Sequence, residues 1–133
     1  MFVDASAIVV IVAGEPGHRA LLDRLRDSPV RLTSGVAVYE AVLAIARLKA
    51  VPPEVAGEIV DDFLNATGVR RVPIADAEAR LAVAAHARYG KGRHPARLNL
   101  GDCFAYACAR AHGVPLLSVG DDFSQTDIRS VLG

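Results

Sequence analysis

Four acidic positions stand out by their surroundings. Asp4 follows the apolar pair Phe2-Val3, and Ser6 lies two residues beyond it. Glu40 is the sole charged side chain between Val36 and Ala46. On a helix its neighbours three and four residues away are Val36, Ala37, Leu43 and Ala44, all apolar. A carboxylate on such a face must be paired, ligated or neutralised, because burying a bare charge is costly. Asp102 sits in Asn99-Leu-Gly-Asp-Cys103, where Asn99 can cap a helix and Gly101 leaves room beside the carboxylate. Asp121 and Asp122 follow an apolar run across the single Gly120. Each acid also has an ordinary duty open to it: a helix cap for Asp4, a salt bridge for Glu40, dipole complementation for Asp102, a turn for Asp121-Asp122.

Brought together, these carboxylates would repel one another, and their pKa values would rise unless a cation neutralised them. An oxygen-only cluster suits Mg²⁺ or Mn²⁺, which keep several waters and bind substrate phosphates. One such ion lowers the pKa of a bound water, and a second steadies the leaving oxygen, which is the chemistry of phosphodiester hydrolysis. Nothing argues for zinc or for covalent catalysis. His18, His86, His94 and His112 are dispersed and read as surface residues, and Cys103 and Cys108 as small buried side chains. Between Arg88 and Arg110 the basic residues Arg88, Lys91, Arg93, Arg97 and Arg110 face one acid, Asp102. Lys91, Arg93 and Arg97 lie in a loop leading into the Asp102 helix, where they could hold a phosphate backbone. An ordinary solvated loop explains them as well, since Arg outnumbers Lys thirteen to two. Tyr89 and Tyr106 could stack on bases, but core packing suits them better.

The elements that must position these groups alternate. The chain has 133 residues, 52% hydrophobic and 23% charged, with zero net charge. That is material for one domain, and it gives no global pointer to nucleic acid. The apolar run Ala7–Ala13 is too short for a membrane span and lacks a basic flank, so a soluble, cytoplasmic protein with no membrane contact is expected. Strands are expected at Phe2–Asp4, Val30–Thr33, Val69–Ile74, Pro115–Ser118 and near Thr126–Ile128. Helices are expected at Pro16–Asp27, Gly35–Lys49, Pro53–Ala66, Asp76–Tyr89 and Leu100–His112. Such alternation predicts an α/β fold with a mainly parallel sheet, whose ligands bind beyond the carboxyl ends of the strands. The β-branched run Ile8–Val12 favours strand by local propensity.

The pieces Phe2-Val-Asp-Ala-Ser-Ala7, Val38-Tyr-Glu40, Lys91-Gly-Arg-His94, Leu98-Asn-Leu-Gly-Asp-Cys-Phe-Ala-Tyr106 and Pro115-Leu-Leu-Ser-Val-Gly-Asp-Asp-Phe123 resemble the PIN-domain ribonucleases, and among them the VapC toxins. The resemblance spans nearly the whole chain and implies one PIN domain over 1–133, a three-layer fold with a five-stranded parallel sheet, and a helix over Ile8–Val12. It implies an endoribonuclease toxin of a toxin–antitoxin system, dependent on Mg²⁺ or Mn²⁺, cutting structured RNA such as tRNA or rRNA. A homodimer and a VapB-type antitoxin covering the site are implied too. Asp4, Glu40 and Asp102 match the family's acids, and Ser6 its hydroxyl near the metal. Asp121 and Asp122 both fit the fourth position, with Asp121 favoured. Ser118-Val119-Gly120 departs from the Thr or basic residue many relatives carry there. Two other readings stand beside this one: a non-catalytic module binding RNA or a partner, and a metal-dependent phosphohydrolase of small substrates. The second is weakened by Asp4-Ala5-Ser6 where a haloacid-dehalogenase-type site has Asp-x-Asp, and by Lys49 and Lys91 being the only lysines.

Overall fold

Side-chain alternation along very short strands sets the layers. In the computed structural model, which describes residues 1–132, β1 (Phe2–Val3), β2 (Leu32–Ser34), β3 (Arg70–Val72) and β4 (Leu116–Leu117) form one all-parallel sheet in the order β3-β2-β1-β4. Phe2 is in register with Leu32 on one side and Leu116 on the other. These three share a face and pack on α5 (Asp76–Tyr89) and α6 (Leu100–Ala111). Val3 and its partner Leu117 point the other way. There they meet α1 (Ala5–Ala13), α2 (His18–Asp27), α3 (Gly35–Lys49) and α4 (Pro53–Thr67) through Ile8, Leu25, Ile45, Val60 and Leu64. No helix among the described residues is long and apolar enough to cross a membrane.

The run Ile8–Val12 is helical in α1, against its local propensity. Asp4 caps the helix start, and Gly14, at φ 68°, closes its end by donating to Ile11 and Val10 carbonyls. Each β-branched residue costs at most about 0.7 kcal/mol in a helix. Full burial of an aliphatic side chain returns about 1.5–3 kcal/mol, and Ile8, Val10 and Ile11 are all buried. Tertiary packing therefore overrides propensity. Helix α2 starts at His18, later than the Pro16 expected, because its N-cap Gly17 is left-handed at φ 90°.

The sheet has four strands, where five are expected. Residues around Thr126–Ile128 do not form a strand. The chain there is wound into turns, with Ser124 N donating to the Asp121 carbonyl and Thr126 N to that of Phe123. It reaches the sheet edge later, at a single parallel bridge between Leu116 and Ser130. This C-terminal segment is tied to the α5–α6 pair through Asp127, which accepts from Tyr106 Oη at 2.5 Å and faces Arg110 at 3.3 Å and Arg88 at 3.4 Å.

Ile45 lies between α3 and the α1 layer with no exposed surface. Ile45→Ala is expected to lower unfolding free energy by about 2–5 kcal/mol, read from urea denaturation at unchanged slope. A loss well under 1 kcal/mol would show that this layer does not carry the fold.

Candidate metal centre

Asp4 closes the central strand β1, at the carboxyl edge of the sheet. Its backbone N donates to the Leu117 carbonyl at 3.0 Å, which ties it to β4. Its Oδ2 accepts from Ser6 Oγ at 2.7 Å and Ser6 N at 3.3 Å. The same Ser6 hydroxyl accepts from Val119 N at 3.0 Å. Ser6 thus links the first acid to the loop that carries Asp121 and Asp122.

Glu40 lies in the second turn of α3, a helix whose start is fixed by Ser34 Oγ accepting from Ala37 N. Its carboxylate lies against the backbone of Gly101, so closely that a Cβ at 101 would overlap it. Asp102 follows in the first turn of α6. It forms a capping box: its Oδ2 accepts from Asn99 N at 3.1 Å, and Asn99 Oδ1 accepts from Asp102 N at 2.9 Å. Asp102 therefore performs the capping duty open to it and is a candidate ligand as well.

These acids lie near enough for their charges to act on one another. Burial holds the Asp4 carboxyl above its ordinary range, opposed by the Ser6 bonds and reinforced by the charge of Asp122. Glu40 is pushed up to about 7, by burial first and then by the charges of Asp4 and Asp102. Asp102 rises to about 6, again chiefly by burial, with Asp122 and Asp4 adding to it. The ion pairs of the described residues, Arg71–Asp61, Arg88–Asp127 and Arg110–Asp127, involve none of these four.

The sequence favours Asp121 for the fourth place, but the charge felt by both Asp4 and Asp102 is that of Asp122. The Asp121 backbone carbonyl accepts from Ser124 N and Oγ, and both acids line the same groove. Adjacent acids in a strand-end loop look alike in sequence, and here both are exposed. The convergence is also looser than expected. Among the described residues no three His, Cys, Asp or Glu side chains stand close enough to cage one ion. Like charges held in one cleft keep apart, and Mg²⁺ needs no such cage, binding through one or two carboxylates plus waters. The donor set fits that kind of ion.

Of the basic residues, Lys91 and Arg97 join Asp121, Asp122, Asn99 and Gln125 around a shallow groove of about 380 Å³. Arg93 is exposed but lies outside that lining. The loop is pinned at its ends by Lys91 N donating to the Leu98 carbonyl and Leu98 N to that of Tyr89. Arg97 holds a left-handed backbone, φ 55°, uncommon outside glycine. Tyr89 and Tyr106 are core residues, 5% and 6% exposed, and Cys103 and Cys108 are free and buried. His94 is half-buried, with its ring edge-on to Tyr89 at 5.1 Å, where the sequence suggests a surface residue. Sequence reasoning misses Tyr39. It precedes Glu40 yet is 65% exposed, and helical spacing alone does not say which helix face stays uncovered.

The sequence matches the PIN domain family over residues 1–129. It is 43% identical to a VapC ribonuclease of Rhizobium meliloti over 139 residues, covering 96% of this chain and 98% of that protein. It is equally 43% identical to ribonuclease VapC42 of Mycobacterium tuberculosis over 130 residues, 97% of each. The fold is similar to that of Mycobacterium tuberculosis VapC20, described as a sarcin-ricin loop cleaving toxin. The TM-score is 0.74 at 21% identity, over 96% of this chain and 95% of that one.

Two consequences can be measured. Glu40 and Asp102 keep protons in the folded chain that they lose in the unfolded one, where their ordinary values of 4.5 and 3.8 apply. The folded state binds more protons between those values and about 7, so stability falls as pH rises through that window. Melting in EDTA should drop by several degrees from pH 5 to pH 8. Mn²⁺ should restore the loss at pH 8, and Glu40→Gln should flatten the profile; a metal-free melting point that climbs over this range would contradict the acid cluster. Gly101→Ala, in a helix where Ala normally stabilises by about 1 kcal/mol, is expected to displace Glu40 instead. Mn²⁺ affinity by calorimetry should weaken at least tenfold in a protein that still folds.

Proposed function

This chain belongs to the PIN-domain family, among its VapC ribonucleases, and we propose that it is a metal-dependent endoribonuclease, the toxin of a VapBC pair, hydrolysing phosphodiester bonds in structured RNA such as tRNA or rRNA. The observation that carries the reading is Asp4, Glu40 and Asp102, each held above its ordinary pKa by burial and by a neighbouring acid's charge, with Asp122 adding its charge to Asp4 and Asp102 and, among the described residues, no basic side chain paired to any of the four. An anionic cleft repels an anionic substrate, so a cation between them is what makes the site usable. Asp4, Glu40, Asp102 and Asp122 would hold it, as Mg²⁺ or Mn²⁺. When bound, the ion supplies charge stabilisation on the phosphate and lowers the pKa of a water.

The chain's own groups prepare that chemistry. Ser6 holds one Asp4 oxygen in a hydrogen bond and so fixes the orientation of the carboxylate. The Asn99 amide does the same for Asp102. Lys91 and Arg97 draw the phosphate backbone along the groove that ends at Asp122. Two cores on opposite faces of one sheet support reading 1–133 as a single PIN domain. We further read the protein as cytoplasmic, where its substrate lies, and neutralised by a VapB-type antitoxin; a chain it resembles in fold comes from a toxin–antitoxin complex of Klebsiella pneumoniae. The exposed Leu43, Leu48 and Val83 are apolar surface that a homodimer would cover.

Cleavage of total tRNA and rRNA should require Mg²⁺ or Mn²⁺ and stop with EDTA. Asp4→Asn and Asp102→Asn should each lose about 100-fold or more, and Asp122→Asn should lose more than Asp121→Asn. Cleavage that survives chelation, or folded variants as active as wild type, would overturn the assignment.

A further inference from the structure

A second groove borders the acid cluster at Glu40. It encloses about 430 Å³ and is lined by Val36, Tyr39, Glu40, Asn99, Leu100 and Gly101. Its apolar walls are open: Tyr39 is 65% and Leu100 69% exposed. Neither side chain is needed by the core clusters. Asn99 lines this groove and the cationic one alike. Its Oδ1 is committed to the α6 cap, while its side-chain amide nitrogen makes no hydrogen bond among the described residues. The acids therefore sit between a cationic channel and an aromatic one, with a free amide donor at the junction.

We propose that this groove receives an unpaired nucleobase of the RNA substrate, the one next to the phosphate held at the acids. The base stacks on Tyr39, Leu100 covers its edge, and Asn99 Nδ2 donates to it or to its phosphate. The inference rests on the ribonuclease reading and adds to it the residues that select for a splayed, single-stranded nucleotide. Several observations favour this occupant. The groove is continuous with the acids through Glu40 itself, and with the phosphate-attracting groove through Asn99. A tyrosine π-face is the usual platform for a base freed from its helix, and every base has a face to offer. A base stacked between neighbours inside a duplex has no free face to present to Tyr39.

The test uses the full chain with Mn²⁺ and bulk tRNA. Tyr39→Ala should raise KM about tenfold, the scale of one lost base stack, with kcat within about twofold, while Tyr39→Phe stays close to wild type. With the wild-type chain and Mn²⁺, read in the first moments after mixing and before cleavage, single-stranded oligoribonucleotides carrying 2-aminopurine should show fluorescence quenching. Tyr39→Ala should remove it, and annealing the strand into a duplex should prevent it. RNA cleavage by wild type with an unchanged KM in Tyr39→Ala would overturn the base site and leave the ribonuclease reading intact. Absence of cleavage by wild type would overturn the ribonuclease reading, and absence of quenching would overturn the base site on its own. If Tyr39→Ala instead shifts the sedimentation coefficient, or abolishes antitoxin binding at unchanged KM, the groove is a protein interface and the base site is wrong.

Discussion

Like charges confined together are the constraint around which this chain is arranged. Burial holds Asp4, Glu40 and Asp102 above their ordinary pKa values, and the charges of neighbouring acids, Asp122 among them, add to the effect. A fold gains nothing from such a grouping by itself. Other elements therefore have to hold each acid against the repulsion: a hydrogen-bonded serine for Asp4, a helix packed through Ala41 and Ile45 for Glu40, a capping box for Asp102, and a turn tied down by Asp127 for Asp122.

The parallel sheet makes that arrangement economical. Its strands are only two or three residues long. Their ends nevertheless fall on one edge, and alternation along β1 and β4 sends successive side chains into two separate cores. Asp4 is the residue at which the central strand stops and α1 starts, so the site begins where both cores end. Short strands also explain the missing fifth one. A two-residue β4 offers little ladder to extend, and the following segment is drawn off by Asp127 toward the α5–α6 pair.

Much of this was legible in the chain itself, for reasons that differ by residue. Glu40 was visible because one charge on an apolar face has no bland explanation that costs little. Asp102 was visible because Asn99 and Gly101 give its surroundings a shape. The alternation of β-like and helical stretches was enough for an α/β fold with a parallel sheet. What stayed hidden depended on tertiary packing. Propensity pointed the wrong way at Ile8–Val12, because burial outweighs it. Asp121 and Asp122 could not be separated, because neighbouring acids in one exposed loop carry the same sequence signal. Tyr39 was passed over in favour of Tyr89 and Tyr106, because exposure belongs to the assembled layers and not to the spacing of aromatic residues.

The capping box gives Asp102 two employers. One of its oxygens closes the first turn of α6, and its charge stands near those of Asp4 and Asp122. Truncation to alanine would therefore fray a helix and disarm a site in one stroke, and a dead variant of that kind could not tell a lost reaction from a loosened scaffold. Asparagine keeps an oxygen for the Asn99 amide and removes the charge alone, so at this position the shape of the replacement decides what an inactive mutant means.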